Sequence, residues 1–107
     1  MKSETTNSTL QENTYNRFFK SLGFKTIGEY DHGFTAHLEI KNGTSLFIRG
    51  VDNVLHAKAE NNGLERYIAD SHRYRTLEDV LFFLSRSVVL EGNFPELHQK
   101  ILQRLAG

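Results

Sequence analysis

Five histidines, His32, His37, His56, His72 and His98, are the most chemically versatile side chains in the sequence. No two stand four residues apart, and the chain contains no cysteine, so neither an H-x-x-x-H helix nor a thiolate set for zinc can be built locally. We therefore expect no metal and no cofactor. Tyr30-Asp31-His32 and Asp70-Ser71-His72 each put an acid, a base and a hydroxyl side by side. Catalytic triads draw those parts from separate segments, so adjacency alone does not make one. Nor is there a G-x-S-x-G elbow or a glycine-rich phosphate loop. A small enzyme with a histidine site assembled by the tertiary fold stands as the third reading of function.

The densest mixture of cations and aromatics is Arg66-Tyr67 followed by His72-Arg73-Tyr74-Arg75. Arginine clamps a phosphate or carboxylate through paired hydrogen bonds, and tyrosine stacks on a base or on an apolar partner. These residues are expected at the end of the last strand and in the loop after it. They carry the second reading, a nucleic-acid-binding protein. Against it stand Glu65, Asp70, Glu78 and Asp79, which dilute the positive charge, and the absence of any Lys/Arg run.

The elements that must position these groups follow from periodicity. Polar residues 1–8 read as a disordered leader, and residues 9–107 as one α+β domain. Thr9 and Glu12 have capping-box spacing ahead of Tyr15, Phe18, Phe19 and Leu22, and Gly23 closes that helix. From Phe24 to Ala69 the period becomes two, with turn signals at Asp31-His32-Gly33, Asn42-Gly43, Gly50 to Asn53 and Asn61-Asn62-Gly63. This predicts a five-stranded antiparallel meander. Thr76 then starts a second helix with Leu77, Val80, Leu81, Leu84 and Val88 on one face, and Pro95 opens a third with Leu97, Ile101, Leu102 and Leu105. Both C-terminal helices and the first are expected to pack mainly on one face of the sheet.

Register decides what the other face carries. A three-residue loop with Gly43 in the left-handed position pairs Leu38 with Leu46 and Ala36 with Ile48, which gathers the apolar residues on one side. A four-residue Gly50 to Asn53 loop then sets Leu55 opposite Ile48 and Ala57 opposite Leu46. The second face receives Thr35, His37 and Glu39, then Ser45, Phe47 and Arg49, then Val54, His56 and Lys58. His37, Phe47 and His56 form one cross-strand row in this register. Phenylalanine supplies area to bury and arginine supplies directed hydrogen bonds, so His37, Phe47, Arg49, His56 and Lys58 are the leading partner-binding residues.

The chain of 107 residues carries 13 Lys+Arg and 13 Asp+Glu, a formal net charge of zero. That balance excludes a protein that coats nucleic acid by bulk charge. It lacks the apolar run of a secretory signal or a membrane span, and is expected to be cytoplasmic with no membrane partner. The first reading of function is a small non-catalytic protein-binding module, of the inhibitor, immunity, adaptor or chaperone kind often encoded by phages and mobile elements. It would bury the open sheet face or the Arg66–Arg75 segment against a protein, including a second copy of itself as a homodimer.

Overall fold

A computed structural model describes residues 13–30, 33–40 and 43–107. The elements are α1 (Thr14–Ser21), β1 (Lys25–Tyr30), β2 (Gly33–Ile40), β3 (Thr44–Val51), β4 (Val54–Asn61), β5 (Leu64–Arg73), α2 (Leu77–Ser85), α3 (Val88–Asn93) and α4 (Pro95–Ala106). The strands form one antiparallel sheet in the order β1-β2-β3-β4-β5. The α+β class and the meander are as the periodicity predicts. The leader, Thr9, Glu12, Asp31, His32 and the Asn42 turn position lie outside the described residues.

The helix that carries Tyr15 and Phe19 is capped at Asn13. Asn13 is extended, its side-chain oxygen accepts from the Asn16 amide at 2.9 Å, and its Nδ2 donates to the Gly33 carbonyl at 2.7 Å. One residue thus caps α1 and ties it to β2. Gly23, at φ 97°, ends the helix: its amide reaches Lys20 O and the Phe24 amide reaches Phe19 O, both orphan carbonyls of the last turn.

The expected second helix is two helices. Ser87 is extended and its hydroxyl accepts from the Leu90 amide at 3.1 Å, so Arg86–Ser87 ends α2 and caps α3. The break resets the helical phase. Val88, placed by spacing on the buried side, is 78% exposed, while Leu90 is fully buried. Thr76 caps α2 as expected: its hydroxyl accepts from the Asp79 amide, and the Asp79 carboxylate accepts from the amides of Thr76 and Arg75.

The core lies between one sheet face and the helices. Phe34, Ala36, Leu46, Ile48, Leu55 and Ala57 are buried there as the alternation requires, joined by Ala59 and Ala69. Leu38 is half-buried and Ile40 reaches the rim. Against this face pack Tyr15 and Phe19 of α1, four residues of α2, Leu90, Phe94, Leu97 and Ile101. An aromatic cluster closes one end. Phe34 stacks on Tyr15 at 5.1 Å and on Phe19 at 5.4 Å, and Tyr74 meets Tyr15 and Phe34 edge-on at 5.5 and 6.0 Å. Gly50 faces that cluster: an added Cβ would lie 2.8 Å from Tyr74 Cζ and against Phe34 as well. This close approach explains a glycine inside a strand. Among the described residues no helix is long and apolar enough to cross a membrane.

Candidate functional site

The β2–β3 register is the expected one, with Leu38 opposite Leu46, Ala36 opposite Ile48 and Gly43 at φ 79°. The next hairpin departs from expectation by two residues. Gly50 and Val51 belong to β3 and pair with Leu55 and Val54, leaving only Asp52 and Asn53 in the turn, both at positive φ. That is the two-residue geometry whose twist suits a hairpin. Because the slip is even, every β4 residue keeps its face, but its neighbours change. Ile48 faces Ala57 and Leu46 faces Ala59; His56 sits opposite Arg49, and Lys58 opposite Phe47. The expected His37–Phe47–His56 row is therefore corrected to His37–Phe47–Lys58.

With that register the open face resolves into rows. Lys25, His37, Phe47, Lys58 and Tyr67 run across all five strands, and Ile27, Thr35, Arg49, His56 and Asp70 run beside them. On the other flank lie Glu39, Ser45, Glu60 and Glu65. Arg49 and His56 are exposed and Phe47 is half-buried. Tyr67 is 66% and Ile27 63% exposed.

Contacts within the rows fix the central side chains. The His37 and Phe47 rings stack at 4.3 Å and 9°. Lys58 Nζ lies 5.7 Å from the Phe47 centroid and 2.7 Å from Glu65 Oε2. The hydrogen bond that Lys58 donates to Glu65 holds its ammonium above its ordinary pKa, against a smaller opposing effect of burial. His56 Nδ1 is 3.7 Å from Asp70 Oδ1. The Nε2 of His37 is shielded from solvent and has no hydrogen-bond partner among the described residues. Phe47, Arg49, His56, Lys58, Glu65 and Tyr67 line a shallow depression of about 500 Å³. An apolar group laid across Phe47 and Tyr67 would find a guanidinium on one side and carboxylates on the other.

The second candidate surface is brought together only in part, at a depression lined by Arg73, Tyr74 and Arg75. The β5 strand runs to Arg73, so most of the segment expected in a loop is strand, and alternation sends its side chains apart. Arg66 pairs with Ala59 on the helix side and lines a depression with Leu64 and Asn93. Tyr67 pairs with Lys58 on the open side. His72 packs against Phe83 of α2, the ring centroids 4.0 Å apart and the planes tilted by 43°. Tyr74 is buried in the aromatic cluster, 2% exposed, where desolvation, with a smaller push from Tyr15 and Asp52, raises its hydroxyl pKa to about 12. Arg73 and Arg75 border Asp79 and Phe82. Tyr74 is thus a core residue rather than a stacking surface, and Tyr67 joins the other site. Two bulges, near Ile68 and at Ser71 with φ 66°, reset the strand's phase.

Tyr67, Glu60, Glu65 and Lys25 are members of the open face that the sequence reading leaves out. The signal for Tyr67 was present: Asn62-Gly63 as a two-residue turn pairs Leu64 with Asn61 and leads directly to Tyr67 beside Lys58. His98 is a structural residue, its Nε2 lying 2.8 Å from the Ser85 carbonyl at the end of α2. Among the described residues no three His, Asp or Glu side chains gather as a metal site. The chain matches no known protein family, no curated protein and no solved structure.

Proposed function

We propose that the chain is a small non-catalytic protein-binding module, of the inhibitor, immunity, adaptor or chaperone kind, whose open sheet face is its contact surface. The observation that carries this reading is the row His37–Phe47–Lys58–Tyr67, aromatic at its centre and bordered by charge of both signs. Aromatic anchors within a polar rim are the usual anatomy of a protein contact. A shallow, wide depression suits a protein surface better than a small substrate, which is ordinarily enclosed. Nucleic acid is the weaker reading, because the arginines that favoured it are spread over different sides of the sheet and the open face mixes Lys25, Arg49 and Lys58 with Glu39, Glu60, Glu65 and Asp70.

The test is capture of partners from the native host by the tagged protein and by Phe47→Ala and Tyr67→Ala variants, with far-UV circular dichroism as the folding control. Both variants should stay folded and lose the captured protein. An unchanged capture by the doubly substituted chain would refute the site. A salt-sensitive gel shift abolished by Arg73→Ala with Arg75→Ala would favour nucleic acid instead.

A further inference from the structure

We propose that an extended segment of a partner protein adds to the sheet as a sixth strand, antiparallel along the first half of β5 and presenting a carboxylate to Arg66. This rests on the reading of the chain as a protein-binding module and adds the edge by which the partner is held.

The two outer strands of the meander each leave one side unpaired. β1 is guarded: it spans six residues, begins at Lys25 and loses register between Gly28 and Tyr30. β5 spans ten. Its bulges insert Ile68 and Ser71, so the stretch Leu64–Tyr67 ahead of them is regular, with no proline, glycine or lysine to deter pairing. Leu64, Glu65, Arg66 and Tyr67 are all exposed.

The turn fixes which backbone groups face outward. With Asn62-Gly63 as a two-residue turn, Asn61 and Leu64 are the hydrogen-bonded pair that closes it, and alternation makes Ala59 and Arg66 the next such pair. The N–H and C=O of Glu65 and of Tyr67 therefore point away from β4. Among the described residues no turn, loop or helix supplies them a backbone partner. An extended peptide laid along the edge satisfies both residues at once, since it offers the same groups at the same spacing.

The side chains say what that peptide carries. Arg66 faces the helix side, lines a depression with Leu64 and Asn93 and forms no ion pair among the described residues, so an acid belongs opposite it. Glu65 already holds Lys58 at 2.7 Å and takes a neutral residue. Tyr67, 66% exposed, and Leu64, 63% exposed, offer area to β-branched residues. From its N-terminus the partner segment thus reads β-branched, acidic, neutral, β-branched.

The edge does not fit itself. Antiparallel registers that bond Glu65 or Tyr67 of one copy to Glu65 or Tyr67 of another set Glu65 on Glu65 or Arg66 on Arg66. The remaining one, centred on Tyr67, sets the regular stretch of each copy against the Ile68 bulge of the other.

The test is amide hydrogen exchange by NMR on the full chain, with the capped peptide Thr-Thr-Val-Glu-Thr-Val-Thr-Thr as probe. A few exposed backbone hydrogen bonds call for about millimolar peptide. The Glu65 and Tyr67 amides should exchange fast in the free chain and about tenfold or more slowly with the peptide bound. Arg66→Glu, or lysine in place of the peptide's glutamate, should weaken binding about fivefold or more, and the two changes together should restore it. N-methyl groups on the peptide residues opposite Tyr67 and Glu65 should abolish it. Amides unchanged by the peptide, binding indifferent to N-methylation or to the charge at Arg66, or amides already protected in the free chain would overturn strand addition. If host-protein capture still depends on Phe47 in that event, the face reading stands without the edge. Capture lost on Arg66→Glu but untouched by Phe47→Ala would support the edge and overturn the face.

Discussion

Alanine at position 50 tests how tightly the aromatic end of the core is filled. The added Cβ would sit 2.8 Å from Tyr74 Cζ and in contact with Phe34, against an ordinary approach nearer 3.4 Å. Neither neighbour is a flexible tail. Phe34 is held between Tyr15 and Phe19, and Tyr74 abuts two of those rings. Relief therefore requires several rings to move together, an overpacking cost of about 1–3 kcal/mol. Gly50 does not have a positive φ, so alanine also gains about 0.4–1 kcal/mol by restricting the unfolded chain. The expected net is a loss of about 1–2 kcal/mol, read as a lower urea midpoint by far-UV circular dichroism. A melting temperature lower by roughly 4–8 °C per kcal/mol should accompany it. Combining Gly50→Ala with Phe34→Leu, which vacates ring volume, should show favourable coupling near 1 kcal/mol. A Gly50→Ala protein as stable as the parent would refute the packing argument.

Two further outcomes follow from buried polar groups. Burial pushes the Tyr74 hydroxyl up to about 12 in the folded chain, from the ordinary tyrosine value of 10.0, so the unfolded chain gives up this proton first and alkali favours unfolding. Its contribution is complete below pH 10 and lost by about pH 12, amounting to ~1–2 kcal/mol once partial solvent screening is allowed for; urea midpoints of Tyr74→Phe should fall less steeply across that window, and an identical fall would sink the assignment. Asn16 is buried with neither side-chain nitrogen nor oxygen hydrogen-bonded among the described residues, so Asn16→Leu should raise stability by about 1–2 kcal/mol, and a lowered urea midpoint would show that the amide has a partner.

How far the sequence discloses this protein depends on what each signal encodes. Face membership was legible, because alternation fixes it and an even slip preserves it: Phe47, Arg49, His56 and Lys58 all lie on the face expected of them. Neighbours within the face were less so. Gly50 looked like a turn residue, and only the Phe34 and Tyr74 rings, distant in sequence, reveal that it is a strand residue with no room for a side chain. The helix break was written locally in Ser87, but the apolar run from Leu77 to Leu90 continues across it and masks the cap. The placing of Arg66 and Tyr67 on opposite sides follows from alternation after the Asn62-Gly63 turn, whereas that of His72 depended on β5 extending to Arg73 with two bulges, which tertiary pairing alone determines.

The meander also bears on how the chain acquires its shape. Every strand pairs only with its neighbour in sequence, so the sheet can assemble hairpin by hairpin with little loop entropy to overcome at each step. The first helix is the exception. Its Tyr15 hydroxyl bonds to the Arg75 carbonyl, 60 residues away, and its ring packs on Tyr74. During synthesis from the N-terminus that helix can seat on β2 early, through Asn13 and the Phe34 ring, but its Tyr15 hydroxyl waits for Arg75 until β5 has been made. The earliest described element to emerge is thus joined at both ends of the sheet's history, first to β2 and last to the segment that follows β5.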